Sequence, residues 1–357
     1  MISKIFKGRK VLITGHTGFK GSWLALWLNK MGAKIIGVSL KDLKSQPHFN
    51  YLNLRNKLSH NLIDIRNFKK INNIIKNNKP DFIFHLAAQA LVKKSYKLPK
   101  FTIETNALGT LNILESLRTY SKKCTLIIIT SDKVYRNFEI KRGYKENDIL
   151  GGFDPYSASK ASAELIIQSY VKSYFPKDGK VRIGIARAGN VLGGGDWSED
   201  RLIPDCIKSW SKNTNVTIRN PNSTRPWQHV LEAIYGYLIL AKNLNKNSKL
   251  HGEAFNFGPS EKNVKKVVTV IKLMSNHWER VKYKINKNKK TIYESKLLTL
   301  NSNKAKRLLN WKCKLTFKDT IKMVVWWYKN FYSKQFDARH LTLSQIDSYE
   351  KIIKKIK

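Results

Sequence analysis

A serine, an aspartate and a lysine stand side by side at Ser131-Asp132-Lys133, and Tyr156 and Lys160 follow as a Tyr-x-x-x-Lys pair. A hydroxyl, a carboxyl, a phenol and two ammonium groups brought into one crevice are suited to moving protons and a hydride. The apolar run Thr125–Thr130 (TLIIIT) predicts a buried parallel strand, which delivers residues 131–133 to its carboxyl end. Tyr156 and Lys160 begin a helical pattern, YSASKASAELIIQSY, and residues four apart share one helix face. A tyrosine of ordinary pKa, about 10, is ionised to roughly one part in a thousand at neutral pH. Tyr156 as a base therefore needs a downward shift of ~3 units, worth ~4 kcal/mol, and Lys160 acts in that direction.

The elements that position these groups begin at Lys10–Thr14 (KVLIT), a short apolar strand, followed by the turn GHTGFKG. An amphipathic helix (SWLALWLNKMG) and a second strand, Lys34–Leu40, come next. Strand, glycine turn, helix and strand together make a dinucleotide-binding unit. Gly15 permits the tight turn, Gly18 lets backbone approach a pyrophosphate, and Gly21 lets helix pack on strand; Thr17 and Phe19 share the turn. Unpaired N–H groups at the helix start face the phosphates. Asp42 stands near the position that bonds the ribose hydroxyls and argues for NAD; Lys41 beside it suits the 2′-phosphate of NADP. NAD is the reading carried forward, with NADP left open.

Further on, Asn61–Ile65 reads as a strand carrying Asp64 and Ile65, followed by a helix through Ile75. Asp81–Leu86 is the next strand, running into Ala87-Ala88-Gln89; a long helix spans Phe101–Tyr120, and a strand lies at Lys180–Ala186. This alternation predicts an α/β fold, a doubly wound parallel Rossmann-type sheet with ligands at the strands' carboxyl ends. Asp64, Ile65, Leu86, Ala87 and Ala88 are therefore candidate cofactor contacts alongside the glycine turn, Tyr156 and Lys160. After Arg187 the chain turns to short elements rich in Gly, Pro, Trp and Arg. The expected division is a Rossmann domain over 1–188 with returning segments near 227–258. A smaller substrate lobe takes 189–226 and 259–357.

Length and a 42% hydrophobic content suit one full core. Lys+Arg 67 against Asp+Glu 25 gives a net charge of +42, but the basic residues are mostly Lys, spread along the chain among Asn and Ile. That is a solvated surface rather than a nucleic-acid module, so no specific nucleic acid is expected. No run approaches the length of a membrane span, and MISKIFKGRK leads straight into the first strand, so neither membrane nor signal peptide is expected. Cys124, Cys206 and Cys313 fit neither a disulfide framework nor a zinc site, which suits a reducing cytoplasm; no metal is expected.

Across nearly its whole length the chain resembles the extended short-chain dehydrogenase/reductases, the NAD-dependent epimerase/dehydratase superfamily, and within them the CDP-glucose 4,6-dehydratases. The segments that carry the resemblance are GHTGFKGSWLALWL, HLAAQALVKKSY, TSDKVY, GGFDPYSASK, RAGNVLGGGDWSEDRLIPD, RNPNSTRPWQHVLE and LTLSQIDSYE. The glycine turn and Tyr-x-x-x-Lys belong to the whole superfamily; the Ser-Asp-Lys triplet, GGGDWSEDRLIPD and TRPWQHV are narrower. Departures such as Ala90, Val134 and Arg136 remove no catalytic group.

The resemblance implies a 4,6-dehydration of a nucleotide sugar in deoxysugar biosynthesis, as for O-antigen and lipopolysaccharide. Oxidation at C4 acidifies the C5 hydrogen, water leaves across C5–C6, and the hydride returns to C6. It assigns Tyr156 as base at the C4 hydroxyl, Ser131 as hydrogen-bond partner of the same oxygen, and Asp132 as acid for the C6 hydroxyl. Relatives acting on dTDP-glucose carry a Glu base where this chain has Lys133, so Lys133 either takes the C5 proton or steadies the enolate. For substrate it points to Gln89, Asn190, Arg201, Arg219 and Arg225, with Trp197 and Trp227 either stacking on the base or lying in the core. His229 reads as a structural histidine. A sister dehydratase or 4-epimerase remains the alternative. The helices at 101–120 and 156–174 suit the intersubunit bundle of a homo-oligomer, dimer or tetramer.

Overall fold

The computed structural model describes residues 2–40, 47–218, 220–259, 264–285 and 297–355. Asp42, with its neighbour Lys41, and Arg219 lie outside the described residues. The centre is a seven-stranded sheet. Its strands in chain order are β1 (Lys10–Thr14), β2 (Lys34–Ser39), β3 (Ser59–Leu62), β4 (Phe82–His85), β5 (Cys124–Ile129) and β6 (Val181–Ala188). Ala254–Phe257 returns late to pair with β6 as an edge strand. The order runs edge-β6-β5-β4-β1-β2-β3, and every pair is parallel. The order reverses between β1 and β4, which makes their carboxyl ends the crevice for a ligand.

β5 is buried at every position, as expected for a strand covered on both faces. Three elements differ from the sequence expectation. The third strand ends at Leu62, so Asp64 and Ile65 sit in the loop beyond it. The helix Phe19–Lys30 is enclosed all round rather than amphipathic, with Trp23, Leu24, Leu26, Trp27 and Leu28 all fully buried. Its outer side is roofed by the C-terminal helix Ala338–Lys355, whose Glu350 Oε1 accepts from Trp27 Nε1 at 2.7 Å. The long helix expected over 101–120 is Pro99–Ile103 and Gly109–Arg118 joined by a π turn at Glu104–Leu108. Gly109 packs directly on Ile65, whose Cδ1 an added Cβ would approach to 2.5 Å.

Below the crevice lies a fully buried ion pair, Arg187 on β6 with Glu164 on the helix Pro155–Tyr174. Arg187 Nε donates to the two carboxylate oxygens at 2.9 and 3.0 Å, and Thr130 Oγ1 donates to Glu164 Oε1 at 2.6 Å. Arg187 also donates to the Tyr135 hydroxyl at 2.7 Å. Removing one partner strands the other charge in the interior, so Arg187→Met is expected to cost ~3–5 kcal/mol, read by denaturant unfolding. A change below 1 kcal/mol would show that the carboxyl finds compensation elsewhere.

Candidate active site

At the carboxyl end of β1 the chain turns through Gly15, whose φ of +76° is left-handed and whose added Cβ would sit 2.8 Å from Ala87 N. That contact places the glycine turn against Leu86, Ala87 and Ala88, which are half-buried at the end of β4. Gly18 caps the helix Phe19–Lys30, and Gly21 packs so tightly under the turn that a Cβ would meet Gly15 O at 2.0 Å. Thr17 Oγ1 donates to Ser39 Oγ at 3.0 Å, tying the turn to the end of β2. Asp64 is held by Arg66, whose Nη2 donates to Oδ2 at 2.7 Å, and the guanidinium keeps the carboxyl below its usual range despite partial burial. Helix N-terminus, left-handed glycine and close-packed backbone form a cradle that fits a dinucleotide pyrophosphate. Gly21→Ala is expected to break that cradle, with loss of cofactor retention measured by equilibrium dialysis. Unchanged retention in a folded variant would count against the cradle.

The catalytic candidates converge as their spacing implied. Ser131 caps a single turn of helix at Asp132–Val134, where its Oγ accepts from Lys133 N at 3.2 Å. It also donates to Asp132 Oδ1 at 3.0 Å. Tyr156, buried at the start of its helix, lies beside Ser131. The Ser131 hydroxyl thus stands between the phenol and the carboxyl, with its own hydrogen directed at Asp132. Burial dominates Asp132 and holds its carboxyl above the usual range, with Lys133, Ser131, Lys20 and Arg225 pulling the other way. Gly189 lies against the same carboxylate: a Cβ there would be 2.8 Å from Asp132 Oδ2.

Tyr156 does not show the lowered pKa its task requires: burial pushes it up to about 12, opposed by the Ser131 hydrogen bond. Lys160 is brought down to about 8 by burial, opposed by Glu164 one turn along. Its Nζ reaches Ile129 O at 3.4 Å. His85, below it, bonds Thr14 Oγ1 at 2.7 Å and Thr110 Oγ1 at 3.1 Å, and burial keeps the ring neutral with a pKa of about 3.

Sequence reasoning missed Lys20. From the second helical position after the glycine turn its ammonium reaches toward Tyr237 OH, at 3.4 Å, among the charges of Arg201, Asp132, Lys160 and Asp196. Burial and Arg201 pull it down to about 8. A lysine inside GHTGFKG was the available signal. Asn106 was missed too: in the π turn it bonds Gln89 N at 2.8 Å through Oδ1 and Ser159 Oγ at 2.8 Å through Nδ2. A π turn has no periodic signature by which it could have been found.

Substrate candidates separate into two groups. Arg225 lies near enough to act on the Asp132 charge, and Arg201 on that of Tyr156. Arg201 Nη1 donates to Asp196 Oδ2 at 3.0 Å. Asn190 is exposed directly after Gly189. Gln89, by contrast, uses its amide inside the loop: Nε2 donates to Leu91 O and Thr102 Oγ1, each at 3.0 Å, while Oε1 accepts from Leu91 N at 2.8 Å. Trp197 packs among His48, Tyr51, Trp327, Tyr328 and Phe331, and Trp227 is buried with Nε1 donating to Lys265 O at 2.9 Å. Trp227 belongs to the packed interior, whereas Trp197 is half-buried at its edge, its Nε1 donating to Tyr332 OH at 3.3 Å. His229 caps the helix Val230–Lys246 from within the core.

Comparison with known proteins gives the family. Residues 12–324 match the family described as GDP-mannose 4,6 dehydratase. The chain belongs to this family. It is 40% identical over 92% of its length to a Salmonella typhimurium protein, CDP-glucose 4,6-dehydratase, covering 93% of that chain. A 25% identity over 89% of the chain relates it to the Salmonella typhi CDP-paratose 2-epimerase, 98% of which is covered. Among solved structures, the NAD complex of dTDP-glucose 4,6-dehydratase from Bacillus anthracis superposes with a TM-score of 0.75 at 22% identity, covering 90% of this chain and 97% of the other. That likeness establishes the shared fold. Among the described residues no helix is long and apolar enough to cross a membrane, and no group of His, Cys, Asp and Glu could hold a metal ion.

Proposed function

We propose that the protein is an NAD-dependent CDP-glucose 4,6-dehydratase, a hydro-lyase forming CDP-4-keto-6-deoxy-glucose and water. The observation that carries the reading is the buried cluster of Ser131, Asp132 and Tyr156 beside Lys133 and Lys160, in a chain 40% identical to a CDP-glucose 4,6-dehydratase. A 4-epimerase has no use for an acid directed at C6, so Asp132 favours dehydration over its sister activity.

When bound, NAD would supply the hydride acceptor for C4 oxidation and the hydride donor for C6, together with the positive charge of its nicotinamide. Gly15, Thr17, Gly18, Phe19 and Gly21 would hold its pyrophosphate side, Asp64 and Ile65 its adenine side, and Leu86, Ala87 and Ala88 the floor of the crevice. Tyr156 takes the C4 hydroxyl proton, with Lys160 supporting the phenolate. Once C4 is a ketone the C5 hydrogen is acidic, and Lys133 receives it while Asp132 protonates the departing C6 oxygen. Arg225 and Arg201 suit the diphosphate, because a guanidinium fork matches phosphate oxygens; Asn190 is placed to meet the sugar. Unpaired cysteines and a nucleotide-sugar substrate fit the cytoplasm. Ile103, Leu108, Leu165 and Tyr174 leave apolar side chains exposed on the two long helices, which suits a homo-oligomer built on them.

Incubation with CDP-, dTDP-, UDP- and GDP-glucose, followed by mass analysis, is expected to give a 4-keto-6-deoxy product, fastest with CDP-glucose. Epimerised hexose without loss of water would move the chain to the sister activity.

A further inference from the structure

The net dehydration needs no proton from outside, yet the residues assigned to it leave a proton out of place. Tyr156 gains a proton when the C4 O–H bond breaks. Asp132 gives one up when the C6–O bond breaks. The C5 proton is taken and returned by the same base, and the hydride leaves C4 and arrives at C6. After one turnover Tyr156 holds one proton too many and Asp132 one too few. Something must carry it from the one to the other.

Ser131 is built for that transfer. Its oxygen accepts from Lys133 N at 3.2 Å, its one hydrogen points at Asp132 Oδ1 at 3.0 Å, and the Tyr156 phenol lies beside it. A hydroxyl has one donor and two acceptor sites; with the donor on Asp132 and one acceptor on Lys133 N, the second acceptor remains for the Tyr156 proton. Ser131 and Asp132 are both buried, with exposures of 7% and 5%, so the chain of bonds is shielded from exchange with solvent.

We propose that Ser131 is a proton wire: the proton that Tyr156 removes from the C4 oxygen passes through Ser131 to Asp132 and leaves with the C6 oxygen as water. The inference rests on the dehydratase reading above. Tyr156 O–H gives its proton to Ser131 Oγ as Ser131 gives its own to Asp132 Oδ1. Asp132 passes a proton to the C6 oxygen as the C6–O bond breaks: the electron pair left by the C5 hydrogen forms the C5=C6 bond, and the C6–O pair leaves with the oxygen as water. No proton is gained or lost by the enzyme over the cycle. Asp132 therefore need not be protonated at rest, which removes the conflict between its duty as an acid and the cations around it. The transfer is drawn forward by the departing oxygen, since hydroxide is a far stronger base than either side chain.

The test separates oxidation from elimination in a single turnover with CDP-glucose, following 4-keto-hexose and 4-keto-6-deoxyhexose by mass. In the intact enzyme the elimination rate is expected to be flat between about pH 6 and 7.5. In Ser131→Ala the wire is cut, and Asp132 has to draw its proton from solvent. Elimination then slows by about 10² near neutrality, 4-keto-hexose accumulates, and the rate recovers as the pH falls. Ser131→Thr keeps the hydroxyl and restores elimination, which also controls for folding. If Ser131→Ala slows oxidation and elimination by the same factor at every pH, Ser131 does no more than hold the C4 oxygen and the wire is rejected. An intact enzyme that yields no 4-keto sugar from any of the nucleotide hexoses defeats the dehydratase reading itself, and the wire with it.

Discussion

Tyr156→Phe is expected to lower turnover by about 10² or more while nucleotide-sugar binding is kept. Phenylalanine preserves the ring that packs at the head of the helix Pro155–Tyr174 but has no oxygen to take the C4 proton. Within the protein, burial pushes the Tyr156 phenol up to about 12. Ionisation near neutrality thus depends on charges assembled around it: Arg201 already acts on the phenol in the protein, and Lys160 is the candidate one turn along the same helix. The sign follows from the role: a base must lose its own proton first, so the rate of C4 oxidation rises with pH through the neutral range. It falls again once Lys160, brought down to about 8, gives up its charge. Stopped-flow measurement of C4 oxidation against pH checks both limbs. Oxidation at an undiminished rate in Tyr156→Phe would assign the base elsewhere.

How far the sequence reached depends on what kind of pattern each feature leaves. β5 is a continuous apolar run because both its faces are covered, so TLIIIT disclosed both the strand and the place where Ser131 emerges. The Gly15–Gly21 contact is equally legible, since a Cβ at Gly21 would lie only 2.0 Å from Gly15 O and glycine alone lacks one. The helix Phe19–Lys30 misled because its outer face is buried by Ala338–Lys355, more than 300 residues away, and no local period records that roof. Gln89 and Trp197 sit in segments that resemble the family's, yet resemblance of a segment does not say which way a side chain turns. The Gln89 amide turns into its own loop, and Trp197 turns into an aromatic cluster. Lys20 was visible as a residue but not as a neighbour of Asp132. That proximity comes from the crossover that sets β1 beside β4 and β5 beyond it.

Asp132→Asn and Lys133→Met divide the elimination into its two proton movements. The amide of the first variant has nearly the shape of the carboxyl and can still accept from Ser131, but it delivers no proton to the C6 oxygen. Water loss should therefore fall by about 10² or more while C4 oxidation is less affected, and 4-keto-hexose should accumulate on the enzyme. Lys133→Met stalls at the same stage for a different reason, because the C5 hydrogen has lost its acceptor. Solvent deuterium tells the two apart. In Asp132→Asn a working Lys133 removes and returns the C5 hydrogen without elimination, so the stalled sugar takes up deuterium at C5. In Lys133→Met it takes up none. Normal 6-deoxy product from Asp132→Asn would remove Asp132 as the acid. C5 exchange persisting in Lys133→Met would leave Lys133 only the task of steadying the enolate charge, and the base would have to be sought among the other cations that face Asp132, with Lys20 first because burial has already brought its ammonium down to about 8.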